Sequence, residues 1–193
     1  MDWLAFISYA LISTFTPGPN NIMAMAKAAR SGLRKTIGFC LGVSTGFAIV
    51  LLLCSYLNLV LSDLLPRFRL IMSVVGAAYL IYLAVKIVRN TGSGHSDPSE
   101  PAPSYWTGLG LQFVNPKGIM YGITVFGSFV LPDSHSQGFL LTITVFLALL
   151  ALTSTICWAL FGSVFQRLLD RYQRQFNLVM ALLLVYCAVS VLH

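Results

Sequence analysis

Thr16-Pro17-Gly18-Pro19-Asn20-Asn21 interrupts a run of 24 uncharged residues from Trp3 to Ala26. A helix of that length, at ~1.5 Å per residue, crosses a hydrocarbon core about 30 Å thick. Pro17 and Pro19 have no N–H, so the carbonyls of Ser13 and Phe15 lose their ordinary helical donors. In lipid those carbonyls must be satisfied from elsewhere, and a broken helix at membrane depth survives only inside protein or beside a polar cavity. A second break, Asn115-Pro116-Lys117-Gly118, falls near the matching place in the other half of the chain. Paired interruptions in corresponding apolar segments point to a transporter's binding site. The two stretches therefore predict one site built from two broken helices.

The composition admits little else. Of the 193 residues, 57% are hydrophobic and 9% charged, with a mean hydropathy of +0.81. A soluble domain needs far more polar surface, so the chain reads as an all-α membrane protein with a lipid bilayer as its solvent. The net charge of +6 does not indicate nucleic acid, because the basic residues sit in loops between apolar runs. Cys40, Cys54, Cys157 and Cys187 all lie inside apolar runs and form no CxxC pair. They read as small buried hydrophobes, and the sequence predicts neither a disulfide nor a metal nor a cofactor. Asp2 replaces a basic leader, and no small-residue cleavage site follows, so the first apolar run is expected to be a retained span.

Charge-free runs divide the chain into six transmembrane helices: Trp3–Ala26, Ile37–Ser62, Leu70–Val85, Tyr105–Leu131, Ser136–Gln166 and Gln175–Leu192. Residues 89–104, with prolines at 98, 101 and 103, form a polar connector between halves 1–88 and 105–193. Three spans per half place the halves in opposite orientations, giving a single transporter domain of 3+3 inverted repeats with helices one and four broken. Tyr82-Leu83-Ala84-Val85 and Tyr186-Cys187-Ala188-Val189 close the two halves with a faint likeness. Nine of the twelve basic residues (Lys27, Arg30, Arg34, Lys35, Lys86, Arg89, Arg167, Arg171, Arg174) fall on one side of this arrangement. Only Arg67 and Arg69 fall on the other. Basic loops stay cytoplasmic, so both termini are expected in the periplasm of a bacterial inner membrane.

Lys117 is the one charge deep in an apolar run, 11 residues beyond Trp106 and roughly 16 Å along a helix. Placing it near the bilayer centre costs about 3 kcal/mol even on the lenient insertion scale. No Asp or Glu lies within any span to pair with it. Two roles follow: contact with a substrate carboxylate, or neutralisation of the carbonyls freed at Pro116. If a half-helix restarts at Pro19, its free N–H groups at Asn20 and Asn21 suit a carboxylate, while the carbonyls of Ser13, Phe15 and Gln112 suit an ammonium. The expected substrate-binding residues are thus Thr16, Pro17, Gly18, Pro19, Asn20, Asn21, Gln112, Asn115, Pro116 and Lys117. Gly38, Gly42 and Gly46, like Gly118 and Gly122, recur every four residues and read as close helix packing. An intramembrane enzyme is disfavoured, since His95, His135 and His193 lie outside the spans and no catalytic carboxylate lies within them. A pore would show charged or repeated polar rings, which are absent.

With those residues in view, the chain resembles the LysE/RhtB family of amino-acid exporters over essentially its whole length. Thr16-Pro17-Gly18-Pro19-Asn20 is similar to the family's first-span motif, Gly76-Ala77-Ala78-Tyr79-Leu80 to its third-span motif and Phe113-Val114-Asn115-Pro116-Lys117 to its fourth. Phe165-Gln166-Arg167-Leu168 and Leu182-Leu183-Leu184-Val185-Tyr186 resemble the branch that exports cysteine and O-acetylserine. Ala84 stands where many members have glycine, which speaks against the alternative homoserine/threonine branch. The resemblance implies efflux of a small amino acid from the cytoplasm with proton coupling, and a homodimer is compatible with it. A membrane thiol-redox carrier of related design is the remaining alternative, though it would want adjacent cysteines.

Overall fold

The computed structural model describes residues 2–60, 74, 77, 78, 81, 82, 84, 85, 88, 104–131, 136–164 and 172–192. Among these residues all regular structure is helical: α1 (Trp3–Phe15), α2 (Pro19–Ser31), α3 (Leu33–Val60), α4 (Tyr105–Phe113), α5 (Pro116–Thr124), α6 (Gln137–Val164) and α7 (Gln173–Leu192). A π-helical turn, Val125–Val130, prolongs α5. Most of the expected third span (Leu70–Val85), residues 89–103 of the connector, and the basic residues Arg67, Arg69, Arg167 and Arg171 lie outside the described residues.

Among the described residues, two helices have the length and apolarity to cross a membrane alone, Leu33–Tyr56 within α3 and the whole of α6, each with a mean hydropathy of 2.3. Their outer faces carry Leu41, Leu53, Leu141, Phe146 and Leu149, all exposed, as helices bathed in lipid require. α1 and α2 are 13 residues each, roughly 20 Å apiece, so neither half of the broken first segment spans alone. The helix starts are set locally. The Asp2 side chain accepts the N–H groups of Leu4 and Ala5 at 3.0 and 3.1 Å, and the Ser104 hydroxyl accepts that of Thr107 at 3.2 Å.

The core forms around the two long helices. Phe6 of α1, Phe47 and Leu51 of α3, Phe126 of the π turn and Leu147 of α6 make one cluster. Ala24 and Ala28 of α2 pack with Phe39 and Val43 of α3 and Ala159 of α6 in a second, while Ile22 and Met25 meet Met180 and Leu184 of α7 in a third. Of the regularly spaced glycines, Gly42 and Gly46 bring backbones together, whereas Gly118 and Gly122 face side chains and Gly38 meets nothing closer than 3.9 Å. A Cβ on Gly42 would fall onto the Tyr105 carbonyl oxygen, one on Gly46 would lie 2.6 Å from that of Leu109, and one on Gly108 would strike that of Phe39. α3 and α4 are therefore in backbone contact. Gly162 likewise admits the Met25 carbonyl, drawing α6 onto α2. Cys40 and Cys54 are buried as expected; Cys157 is exposed, because its face of α6 looks away from the core.

Candidate functional site

Both breaks appear, and each is tighter than its proline content suggests. α1 ends at Phe15, and Thr16 closes it by donating its N–H to the Ile12 carbonyl at 3.0 Å. α2 restarts at Pro19, so Asn20 and Asn21 are helical residues and the break is Thr16–Gly18 alone. The carbonyls of Thr14, Phe15 and Thr16 at the end of α1 are met by side chains. Thr14 accepts Asn21 Nδ2 and Ser154 Oγ, each at 3.0 Å. Thr16 accepts Asn21 Nδ2 at 3.2 Å and Lys117 Nζ at 3.0 Å. Phe15 accepts the indole Nε1–H of Trp158 at 3.2 Å. The Phe15 carbonyl, expected to stand open for an ammonium, is occupied because α6 brings an indole against the end of α1.

α4 ends at Phe113 and α5 begins at Pro116, leaving Val114 and Asn115 between them. The Gln112 carbonyl, also expected to be open, accepts the Asn115 N–H at 3.3 Å as the chain turns. The Gln112 side chain works instead. Its amide forms a reciprocal pair with that of Asn20, 3.0 Å in each direction, which ties the two breaks together. Gln112 Oε1 also receives Asn115 Nδ2 at 3.4 Å.

Between the breaks lies a small, open-sided cavity of about 50 Å³. Six of the ten expected residues line it: Gly18, Pro19, Asn20, Asn21, Asn115 and Lys117. Thr16, Pro17, Gln112 and Pro116 do not; they shape the breaks from behind. Ser13, whose carbonyl was expected near the substrate, and Gly118 of the second break line it too; Thr14, Phe47, Tyr121, Ala151 and Thr155 complete the lining and were not anticipated. Only Tyr121 left a trace in the sequence, since it follows Lys117 by four residues and so shares its helix face.

The electrostatics of this cavity favour an anion. α2 and α5 both point their N-termini at it, each with proline at the first position and neither with a capping side chain. The early N–H groups of a helix have no intrahelical acceptor and carry the positive end of its dipole. Asn115 occupies the N-cap position of α5 yet makes no capping bond. Lys117 adds the one formal charge among the described lining residues. Its side chain lies against Gly18, where an added Cβ would sit 3.1 Å from Nζ.

A family model described as LysE type translocator matches residues 11–193. The chain belongs to the LysE type translocator family. Within it, the chain is 43% identical over 187 residues to a cysteine/O-acetylserine efflux protein of Klebsiella pneumoniae, covering 97% of this chain and 95% of that one. It is 42% identical over 189 residues to proteins of the same description from Salmonella typhimurium and Escherichia coli, covering 98% of this chain and 96% of each. No solved structure matches the chain. The cavity lies between the two breaks, where Pro19 and Pro116 each stand first in a helix.

Proposed function

We propose that this chain exports small neutral amino acids across a bacterial inner membrane, cysteine and O-acetylserine foremost. The observation that carries the reading is the cavity: one fixed cation, two uncapped helix N-termini and no carboxylate among its described lining residues. A zwitterion enters with its own countercharge, and its carboxylate takes the place of the Thr16 carbonyl on Lys117. The relatives in Klebsiella, Salmonella and Escherichia supply the substrates to test first. Overexpression should raise cysteine and O-acetylserine in the medium above a vector control. Unchanged levels of both would remove this substrate assignment.

An inverted repeat of three spans per half fits the same reading. Pro19 and Pro116 are both first helical residues, so Asn20 and Lys117 are equivalent second residues. Each reaches across to the other half's broken helix: Asn20 to Gln112, Lys117 to Thr16. Such crossed contacts are what a two-fold axis in the membrane plane generates. The basic residues then place the connector in the cytoplasm and both termini in the periplasm. Alkaline phosphatase fused after His193 should be active, and fused at Ser96 inactive. The reverse pattern would discard this orientation.

A further inference from the structure

Two buried side-chain atoms among the described residues have no hydrogen-bond partner within 3.5 Å, Asn115 Oδ1 and the Tyr121 hydroxyl, the latter with the Thr14 side chain nearby, and both belong to residues that line the cavity. Buried polar atoms are nearly always paired, so two orphans in one cavity wall require a reason. We infer that together they form the subsite for the substrate's ammonium group, separate from the carboxylate contact at Lys117. The inference rests on the amino-acid reading above and deepens it.

The hydrogen-bond chain sets which atom of Asn115 is left over. Gln112 Nε2 donates to the Gly108 carbonyl at 3.2 Å, a partner that can only accept. That fixes Oε1 on the other branch, where it receives Asn20 Nδ2 and Asn115 Nδ2. Turning the Asn115 amide over would set its oxygen against Gln112 Oε1, acceptor against acceptor. Asn115 therefore spends its donor on Gln112 and turns its acceptor away. A bare amide oxygen repels a carboxylate and attracts a group rich in N–H donors.

Tyr121 supplies the second acceptor. It is 4% exposed, stacked on Tyr9 with ring centroids 5.6 Å apart, and tilted against Phe47 at the same separation. Held on both sides, the ring cannot swing its hydroxyl out to find water. An ammonium has three N–H donors, enough for Oδ1 and the phenolic oxygen together, and the neighbouring Phe47 face adds cation–π attraction. Two half-helix N-termini and Lys117 take the negative end of a zwitterion; the orphaned acceptors take the positive end.

Binding to the purified full chain in detergent, with three probes, tests the assignment: cysteine, cysteamine (no carboxylate) and 3-mercaptopropionate (no ammonium). Tyr121→Phe keeps the ring and its stacking, and Asn115→Leu keeps the volume. Each should weaken cysteine and cysteamine about tenfold, the usual loss for one hydrogen bond to a charged group, and leave 3-mercaptopropionate unchanged. Lys117→Met should do the converse, weakening cysteine and 3-mercaptopropionate without weakening cysteamine, which loses a like charge. Equal losses for all three probes in Tyr121→Phe, or no loss for any, overturn the subsite, as does wild-type protein that binds 3-mercaptopropionate as tightly as cysteine. If Lys117→Met spares 3-mercaptopropionate, the carboxylate contact fails while the ammonium subsite stands on its cysteamine result.

Discussion

Lys117→Met is expected to weaken cysteine binding about a hundredfold and, at the same time, to erase the site's preference for cysteine over lysine. Lys117 supplies the one formal charge among the described cavity-lining residues. A cation placed uncompensated in that low-dielectric space costs about 3 kcal/mol, and each ~1.4 kcal/mol is tenfold in affinity. A bound carboxylate compensates it; methionine leaves the carboxylate to the helix N-termini alone. A lysine substrate brings a second cation with no partner, so the native site should favour neutral amino acids by roughly the same hundredfold. With Lys117 gone, the side-chain ammonium of lysine no longer meets a like charge, and discrimination should fall toward unity. The variant should still fold, since the Thr16 carbonyl keeps Asn21 Nδ2 as a donor at 3.2 Å. Competition against labelled cysteine in proteoliposomes reads both effects. Full affinity in the variant would make Lys117 a structural plug for the first break, and lysine competing as well as cysteine in wild type would defeat the charge argument.

The breaks were legible because proline acts through local geometry. A missing N–H and a locked φ write a helix interruption into the sequence without reference to the rest of the chain. Lys117 was legible for a similar reason, as a charge in an apolar run has to be explained wherever the run ends up. The identity of its partner was not, because the Thr16 carbonyl lies 101 residues away. The partner of the Phe15 carbonyl was hidden on the same ground. Trp158 reaches it from α6, as Ser154 reaches the Thr14 carbonyl, and the sequence of α6 carries no break, no charge and no marker of proximity to the first break. Asn20 and Gln112 were picked as isolated polar residues, yet what matters is that their amides face each other across the two breaks. Polarity in an apolar segment shows which residues need partners. Packing decides which partners they get.

The same packing exposes the fold to a single methyl group. Gly108→Ala is expected to abolish recovery of folded protein, whereas Gly110→Ala, two residues along the same helix, should be neutral or mildly stabilising. At Gly108 the new Cβ would strike the carbonyl oxygen of Phe39, with its carbon and the Val43 N–H nitrogen close behind. These are backbone atoms of α3, so no rotamer change relieves the clash; the helices must part. Overpacking a core costs about 1–3 kcal/mol when side chains can yield, and a backbone collision lies at or above the top of that range. That is a large part of a total stability of roughly 5–15 kcal/mol. At Gly110 nothing lies within 4 Å of an added Cβ, and alanine gains about 1 kcal/mol of helix propensity over glycine. The displacement would also reach the cavity, because Gly46 on α3 already leaves only 2.8 Å between an added Cβ and Gln112 Cγ. Moving α4 therefore moves the amide that joins Asn20 to Asn115. Size-exclusion profiles and melting curves in detergent provide the comparison. If Gly108→Ala melts within a degree or two of Gly110→Ala, the α3–α4 contact is not held at backbone distance, and the cross-break amide pair it positions loses its support.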